Sequence, residues 1–325
     1  MPELPEVETV ARDLKPLLTG KTIQGVWWSG KKLRLPWQQS WASLVQGLTF
    51  QEVKRRAKWL ILYLGKSGKP KGDEIICKSP KLIAHLGMTG QLTFVRVPTQ
   101  VSHSTLPDDH VHLCFDLGSA SGKGLKQANK KVSKDPEGQV SLRFRDIRRF
   151  GGIHLAKNQV ELEAFFEKHP LGPEPWDCSL KGWREALART SRAIKVVLLD
   201  QTIVSGLGNI YADESLHASR IHPCRSASSL SESEAGSLLS HSAEVMRQAI
   251  ENRGSTIRDY VGGENLNGRN QDFLQVYGRE GQPCFQCGSE VVRWILGGRS
   301  SHFCPRCQPE TPGLVVPKRV GGVRY

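Results

Sequence analysis

Two groups of residues in this chain have types and spacings suited to chemistry. The first is the start, Met1-Pro2-Glu3-Leu4-Pro5-Glu6. Methionine before a small residue is usually trimmed, and trimming here leaves proline as the N-terminus, a secondary amine that no side chain supplies. An α-amino group titrates near ~8 against ~10.4 for lysine, so far more of it is free base at neutral pH. Attack by such an amine on a sugar aldehyde carbon gives an iminium that stays positively charged at any pH. That charge is an electron sink, as in lysine Schiff-base catalysis, and Glu3 beside it can shuttle protons. The same residues also suit a helix start: Pro5 fits a first turn, and Glu6 and Glu8 favour the positive end of a helix dipole. The two readings are compatible.

The second group is Cys284-x2-Cys287 and Cys304-x2-Cys307, with sixteen residues between the pairs. Two knuckles at this separation can present four thiolates tetrahedrally to one Zn²⁺ ion. All four positions are then protein ligands, so the metal is structural and leaves no open site for water or substrate. The segment between them, Val291-Val292-Arg293-Trp294-Ile295 followed by Gly297-Gly298-Arg299, predicts a hairpin with basic residues at its tip.

Elements must hold these groups. Val7, Val10, Ala11, Leu14, Leu17 and Leu18 recur at helical spacing and stop at Gly20, predicting an amphipathic helix behind the terminal amine. Residues 21–155 read as strands: Ile23–Trp28, Leu60–Leu64, Leu82–Leu86, Gln91–Val95, His112–Leu117 and a returning strand at Val140–Phe144. Many short strands without intervening helices predict an antiparallel sandwich or barrel. Residues 118–139 are polar and rich in lysine and glycine, a hairpin excursion rather than a boundary. From about 158 the texture turns helical, with helices expected at Val160–Lys168, Trp183–Ala188, Ala193–Asp200, Asn209–Ser219 and Ser231–Asn252, and prolines 170, 173 and 175 mark a rigid linker. A basic tail after Pro309 shows no evident structure.

Length and composition set limits. A chain of 325 residues can hold two domains with sizeable cores. The net charge of +13 and pI near 9.5 favour a polyanionic partner, although a solvated basic surface gives the same number. No run of about 18 apolar residues exists to span a membrane. The acidic start without an apolar segment argues against a secretory signal. Four clustered and four scattered cysteines suit a reducing cytosol with one metal site better than a disulfide framework.

Several islands then converge. Pro2-Glu3-Leu4-Pro5-Glu6-Val7-Glu8-Thr9, Arg55-Arg56-Ala57-Lys58, His85-Leu86-Gly87-Met88-Thr89-Gly90, Arg148-Arg149-Phe150-Gly151, Gly206-Leu207-Gly208-Asn209-Ile210-Tyr211-Ala212, Gln275-Val276-Tyr277-Gly278-Arg279 and the four-cysteine finger together resemble the bacterial formamidopyrimidine-DNA glycosylases. The resemblance runs in order over nearly the whole chain. It is closer to this branch than to the endonuclease VIII branch, whose start reads Pro-Glu-Gly-Pro. It implies an α+β multidomain fold: an N-terminal helix plus antiparallel β-sandwich at 1–157, a helix-two-turn-helix domain at 158–272, a zinc-finger β-hairpin at 273–309 and a tail at 310–325, with DNA in the cleft between the halves.

The resemblance also assigns roles. Pro2 is the expected nucleophile at deoxyribose C1′ and Glu3 the general acid/base that helps open the sugar. Lys58 is expected at the phosphate next to the lesion, assisting catalysis, and Arg299 grips phosphates beside it. Met88, Arg148 and Phe150 match a triad that fills the void left by an everted base, wedging into the stack and pairing the orphaned cytosine. Asn209 and, more loosely, Lys195 match phosphate-binding positions, and His110 joins the DNA contacts. The implied partner is double-stranded DNA carrying oxidised bases or abasic sites, and the implied cofactor one structural Zn²⁺. The implied setting is a monomer in the bacterial cytoplasm, associated with the nucleoid.

Departures are specific. Ile147 stands where the family usually has proline. The 118–139 stretch and the tail are longer than the family pattern, and Tyr260–Arg269, at the place of a loop that folds over everted 8-oxoguanine, is not a close match. Excision of oxidised purines with β,δ-elimination is the expectation. The alternatives are an oxidised-pyrimidine glycosylase of the same superfamily, a non-catalytic DNA-binding protein, and a zinc-ribbon RNA-binding factor that leaves the N-terminal islands unexplained.

Overall fold

The computed structural model describes residues 2–67, 78–97, 109–119, 139–256, 261–264, 266–310, 314, 319–320 and 323–324. The chain divides into two compact units.

The first unit comprises residues 1–2, 6–168 and 256–268. Helix α1 (Leu4–Leu18) leads into strands β1 (Lys21–Trp28), β2 (Thr49–Arg56), β3 (Trp59–Gly65), β4 (Lys81–His85), β5 (Gly90–Val97), β6 (Val111–Ser119), β7 (Gln139–Asp146) and β8 (Gly152–Ala156). They form one antiparallel sheet in the order β5-β7-β6-β1-β2-β3-β4-β8. Residues from both ends of that order, Leu92 and Phe144 on one side and Leu62, Leu82 and Ile153 on the other, share one buried cluster with Val7, Val10 and Leu14 of α1. The apolar stripe of the helix thus seals the inner face of the sheet.

β2, β8 and a five-residue helix, α2 (Trp41–Val45), were not evident from the sequence pattern. β2 buries Phe50 and Val53, but a register shift between Phe50 and Glu52 breaks the two-residue alternation that signals a strand. β8 is five residues opening on glycine, and α2 is too short to show a period. Leu117 pairs with Val140, so β7 is the expected returning strand. The excursion itself (120–138) lies outside the described residues, as do Tyr260 and Asn265 of the 260–269 stretch. Helix α3 (Gln159–Lys168) follows β8, its Phe165 ring edge-on to Trp59 at 5.2 Å.

The second unit comprises residues 3–5, 169–255 and 269–325. Helices α4 (Leu180–Ala188), α5 (Ile194–Leu198), α6 (Asn209–Ala218) and α7 (Glu232–Glu251) enclose a core of Leu4, Trp183, Val197, Leu207, Tyr211 and Met246. Ser231 and Glu234 form a reciprocal capping box at the start of α7. Strands β9 (Val292–Leu296) and β10 (Arg299–Phe303) are the hairpin expected between the cysteine pairs. The tail differs from expectation: Leu314 bridges Arg225, and Arg319–Val320 pairs with Val323–Arg324. The Gly321-Gly322 dipeptide between those pairs is a hairpin signal that the basic composition obscures.

Candidate active site and metal centre

The head of α6 explains the Gly206-Leu207-Gly208-Asn209 motif. Its helix cap, Gly208, has no side chain to satisfy the free N–H groups of the first turn. The Glu3 carboxylate does so instead. Glu3 Oε2 accepts from the Gly208 and Tyr211 amides at 2.6 and 3.4 Å, and Oε1 accepts from Ile210 at 2.9 Å. A carboxylate at a helix N-terminus gains from both the hydrogen bonds and the dipole. The three amides at the head of α6 are therefore occupied by Glu3. The glycines serve close approach of the terminal segment: a Cβ on Gly208 would lie 2.5 Å from Glu3 Oε1. One on Gly206, at φ +98°, would lie 2.9 Å from Leu4 Cβ. Leu4 N–H donates to the Gly206 carbonyl at 3.1 Å, completing the tie. Pro2, directly before Glu3, is buried; Met1 lies outside the described residues.

Three other expected residues meet around β10. Asn209 Nδ2 donates to Ser300 Oγ at 3.2 Å, and Lys195 Nζ donates to the Ser300 carbonyl at 2.5 Å. Arg299, exposed, precedes Ser300 at the start of β10. Lys195 is the residue matched more loosely to a phosphate position. It is fully buried, and its ammonium pairs with Asp213 Oδ1 at 2.6 Å. Burial pushes that ammonium below the usual lysine range, with the Asp213 carboxylate opposing the shift. Asp213 Oδ2 also accepts the His302 backbone N–H at 2.9 Å. The Lys195–Asp213 pair thus anchors the hairpin that carries Arg299.

The first unit positions the remaining residues. Ala57 and Lys58 form the two-residue turn between β2 and β3, with Ala57 at φ +49° and Lys58 almost wholly buried. Arg55 braces the turn, donating to the Ala57 carbonyl at 3.2 Å and to Glu8 Oε2 at 2.7 Å. Burial raises the Glu8 pKa, but hydrogen bonds from Arg55 and Arg12 outweigh it and hold the carboxyl below its usual range.

Met88 and Phe150 are large apolar side chains left 39% and 42% exposed, and the Arg148 guanidinium lies 4.6 Å from the Phe150 ring. Their two turns interlock. Gly87, at φ +62°, sits so close to the Phe150 backbone that a Cβ would fall 2.5 Å from its carbonyl carbon. Asp146, missed in the sequence, is fully buried between them. Its Oδ1 accepts from Thr89 Oγ1 at 2.5 Å and Arg148 N at 3.2 Å, and its Oδ2 accepts from Gly151 N at 2.8 Å. Its backbone N–H donates to the His110 carbonyl at 2.9 Å. Its carbonyl accepts from His112 Nε2 at 2.9 Å, which leaves His112 Nδ1 to accept from Ser29. This network holds the turn where Ile147 replaces the customary proline. A lone aspartate, two residues before Arg148, gave no other signal of it.

Near the C-terminus the four cysteine Sγ atoms lie within 4.8 Å of one another. Cys284 and Cys307 are 3.9 Å apart and Cys287 and Cys304 3.4 Å. Four thiolates at about 2.3 Å from a zinc ion sit about 3.8 Å from each other, so the donor set fits one tetrahedral Zn²⁺. Gln308, fully buried, accepts from Cys304 N at 3.0 Å and donates to the Ile221 carbonyl at 2.9 Å.

Comparison with known proteins covers nearly the whole chain. The family model described as the formamidopyrimidine-DNA glycosylase N-terminal domain matches residues 1–153. That of the same family's H2TH domain matches 171–261, and that of a zinc finger found in FPG and IleRS matches 281–309. The chain is 36% identical over 313 residues to a formamidopyrimidine-DNA glycosylase of Bacillus cereus (strain ZK / E33L), covering 95% of this chain and 99% of that one. It is 37% identical over 316 residues to one from Streptococcus pyogenes serotype M28, covering 96% and 100%. Among solved structures it is similar to a Lactococcus lactis FPG mutant in complex with a Fapy-dG containing DNA, with a TM-score of 0.78, 32% identity, and 95% and 100% coverage. It is also similar to Lactococcus lactis Fpg in complex with an abasic site containing DNA, with a TM-score of 0.77, 31% identity and the same coverage.

Proposed function

This chain belongs to the formamidopyrimidine-DNA glycosylase family of base-excision repair, and on that premise we propose that it excises oxidised purines from duplex DNA and cleaves the resulting abasic site by β,δ-elimination. The observation that carries the reading is the fixed carboxylate of Glu3, immediately after Pro2 and clamped by three backbone amides.

With Met1 removed, the Pro2 nitrogen attacks C1′. The N–C1′ bond forms as the bond from C1′ to the damaged base breaks, and the base leaves with the proton given up by the Pro2 nitrogen. Glu3 delivers a proton as the sugar ring opens, giving an iminium on Pro2. The iminium draws electrons from the C2′–H bond. Loss of that proton expels the 3′ phosphate, and a second elimination expels the 5′ phosphate. Water then hydrolyses the conjugated iminium and regenerates the amine. Lys58 and Arg299 steady the flanking phosphates, with Asn209 and His110 as further DNA contacts. Met88, Phe150 and Arg148 fill the space left by the everted base.

The zinc ion holds the β9–β10 hairpin and takes no part in these steps. The protein acts as a monomer on DNA in the bacterial cytoplasm.

Product analysis tests the reaction. A duplex with 8-oxoguanine opposite cytosine, labelled at the 5′ end, should yield a fragment ending in 3′ phosphate. A fragment ending in an unsaturated aldehyde would limit the reaction to β-elimination. Cleavage of a thymine glycol duplex but not of 8-oxoguanine would move the substrate to oxidised pyrimidines.

A further inference from the structure

Helix α6 is tied at successive points along its length to separate parts of the second unit. Its first amides hold Glu3. Asp213 accepts from His302, and Glu214 accepts the Gln275, Val276 and Tyr277 amides at 2.8, 3.0 and 2.8 Å. Near its end His217, only 2% exposed, places Nε2 3.7 Å from the Sγ of Cys284. Nothing in the sequence pattern singles His217 out.

We propose that His217 is an outer-shell partner of the zinc site: its Nε2–H donates to the Cys284 thiolate, slowing metal loss and tying the finger to α6.

The chemistry favours a hydrogen bond over ligation. Four thiolates already complete a tetrahedral shell, and His217 does not fall within the compact set of donor atoms that the four cysteines form. Zn²⁺ with four thiolates carries two net negative charges, which is costly where Cys284 and Cys304 are buried at 3% and 0% exposure. An N–H donated to sulfur disperses that charge. The Cys307 amide does the same for Cys304 Sγ at 3.4 Å. A metal-bound thiolate has no proton to give, so the imidazole must carry its proton on Nε2. Outer-shell partners of this kind typically change metal affinity by about 10- to 100-fold.

The test uses the zinc-loaded full chain with His217→Phe, which keeps a ring without a donor, and His217→Gln, which keeps a donor. Zinc transfer to excess chelator is followed with a chromogenic dye, and the thiolate-to-metal charge-transfer band is recorded after cobalt substitution. His217→Phe should release zinc about ten-fold faster, with its cobalt band moved to lower energy because the sulfur lone pair is no longer stabilised. His217→Gln should stay near wild type in both. An unchanged release rate or an unchanged band in His217→Phe, or Gln behaving as Phe does, would overturn the proposal. Should the Phe variant not fold, long-range ¹⁵N–¹H correlation on wild-type protein decides: an Nε2–H tautomer is required, and an Nδ1–H tautomer contradicts it.

Discussion

Glu3 and Gly208 are separated by 205 positions in sequence, yet the carboxylate of one accepts the backbone N–H of the other at 2.6 Å. The bond makes the first helical amides of α6 part of the site at the chain's start. It also gives Gly208 a requirement that a helix-connecting turn would not impose.

Gly208→Ala would set a methyl group 2.5 Å from Glu3 Oε1. The carboxylate must move, and displacements of about 1 Å in a reacting group cost on the order of 100-fold in rate. Base excision should fall by about that factor in kcat, with KM for duplex DNA little changed. Single-turnover kinetics on a lesion duplex checks this, and a variant with wild-type excision would remove Glu3's cradle from the account.

Asp146→Asn replaces an acceptor of three hydrogen bonds with a group that can accept through one atom only. A buried unmet donor costs about 1–3 kcal/mol, so stability should drop by that order in urea unfolding. The Met88 and Phe150 turns should loosen with it. A 2-aminopurine placed beside the lesion should then report weaker unstacking on binding. Full unstacking with unchanged stability would show that the turns hold without Asp146.

Arg299→Ala removes an exposed cation from the head of β10 while leaving the Ser300 anchor to Lys195 and Asn209. Affinity should fall for damaged and undamaged duplex alike. The slope of log affinity against log salt should become shallower by about 0.9, the value for one phosphate contact. Stripping zinc should lower affinity at least as far, because the whole hairpin is released. An unchanged slope would place Arg299 away from the backbone.

His222 is buried against the Trp294 and Phe303 rings, and burial holds its pKa down at about 4, against a small opposing effect of Glu310. In the unfolded chain the group titrates near 6.5. The unfolded state therefore binds the extra proton between these values, and stability present above pH 6.5 is lost as pH falls toward 4. Between pH 7 and pH 5, His222→Phe should lose less melting temperature than wild type. Equal losses would mean that His222 is not held neutral.

Some of this was legible in the sequence and some was not, for physical reasons. The Cys-x2-Cys pairs announce a metal because thiolate geometry constrains local spacing. The strands at Leu60–Leu64 and Leu82–Leu86 announce themselves because both faces are buried and the apolar run is continuous. β2 hides behind its bulge and the run Lys54-Arg55-Arg56, of which Lys54 and Arg56 are exposed while Arg55 is held by Glu8. The Gly206–Gly208 motif was visible, but its partner was not, since nothing local links it to residue 3. Nothing local to Lys195 shows that its ammonium is buried against Asp213, eighteen residues on. Asp146 and His217 act through contacts made only on folding, with no periodicity or motif to mark them.

On the proposed mechanism the Pro2 amine forms the covalent intermediate. The most direct measurement is borohydride reduction during reaction with a duplex carrying 8-oxoguanine opposite cytosine, and with an abasic duplex, followed by peptide mapping of the product. A stable protein–DNA adduct on Pro2 is expected, absent from protein that retains Met1 or carries an N-terminal tag. No adduct on either duplex with Met1 confirmed absent, or an adduct on lysine with Pro2 free, would contradict it.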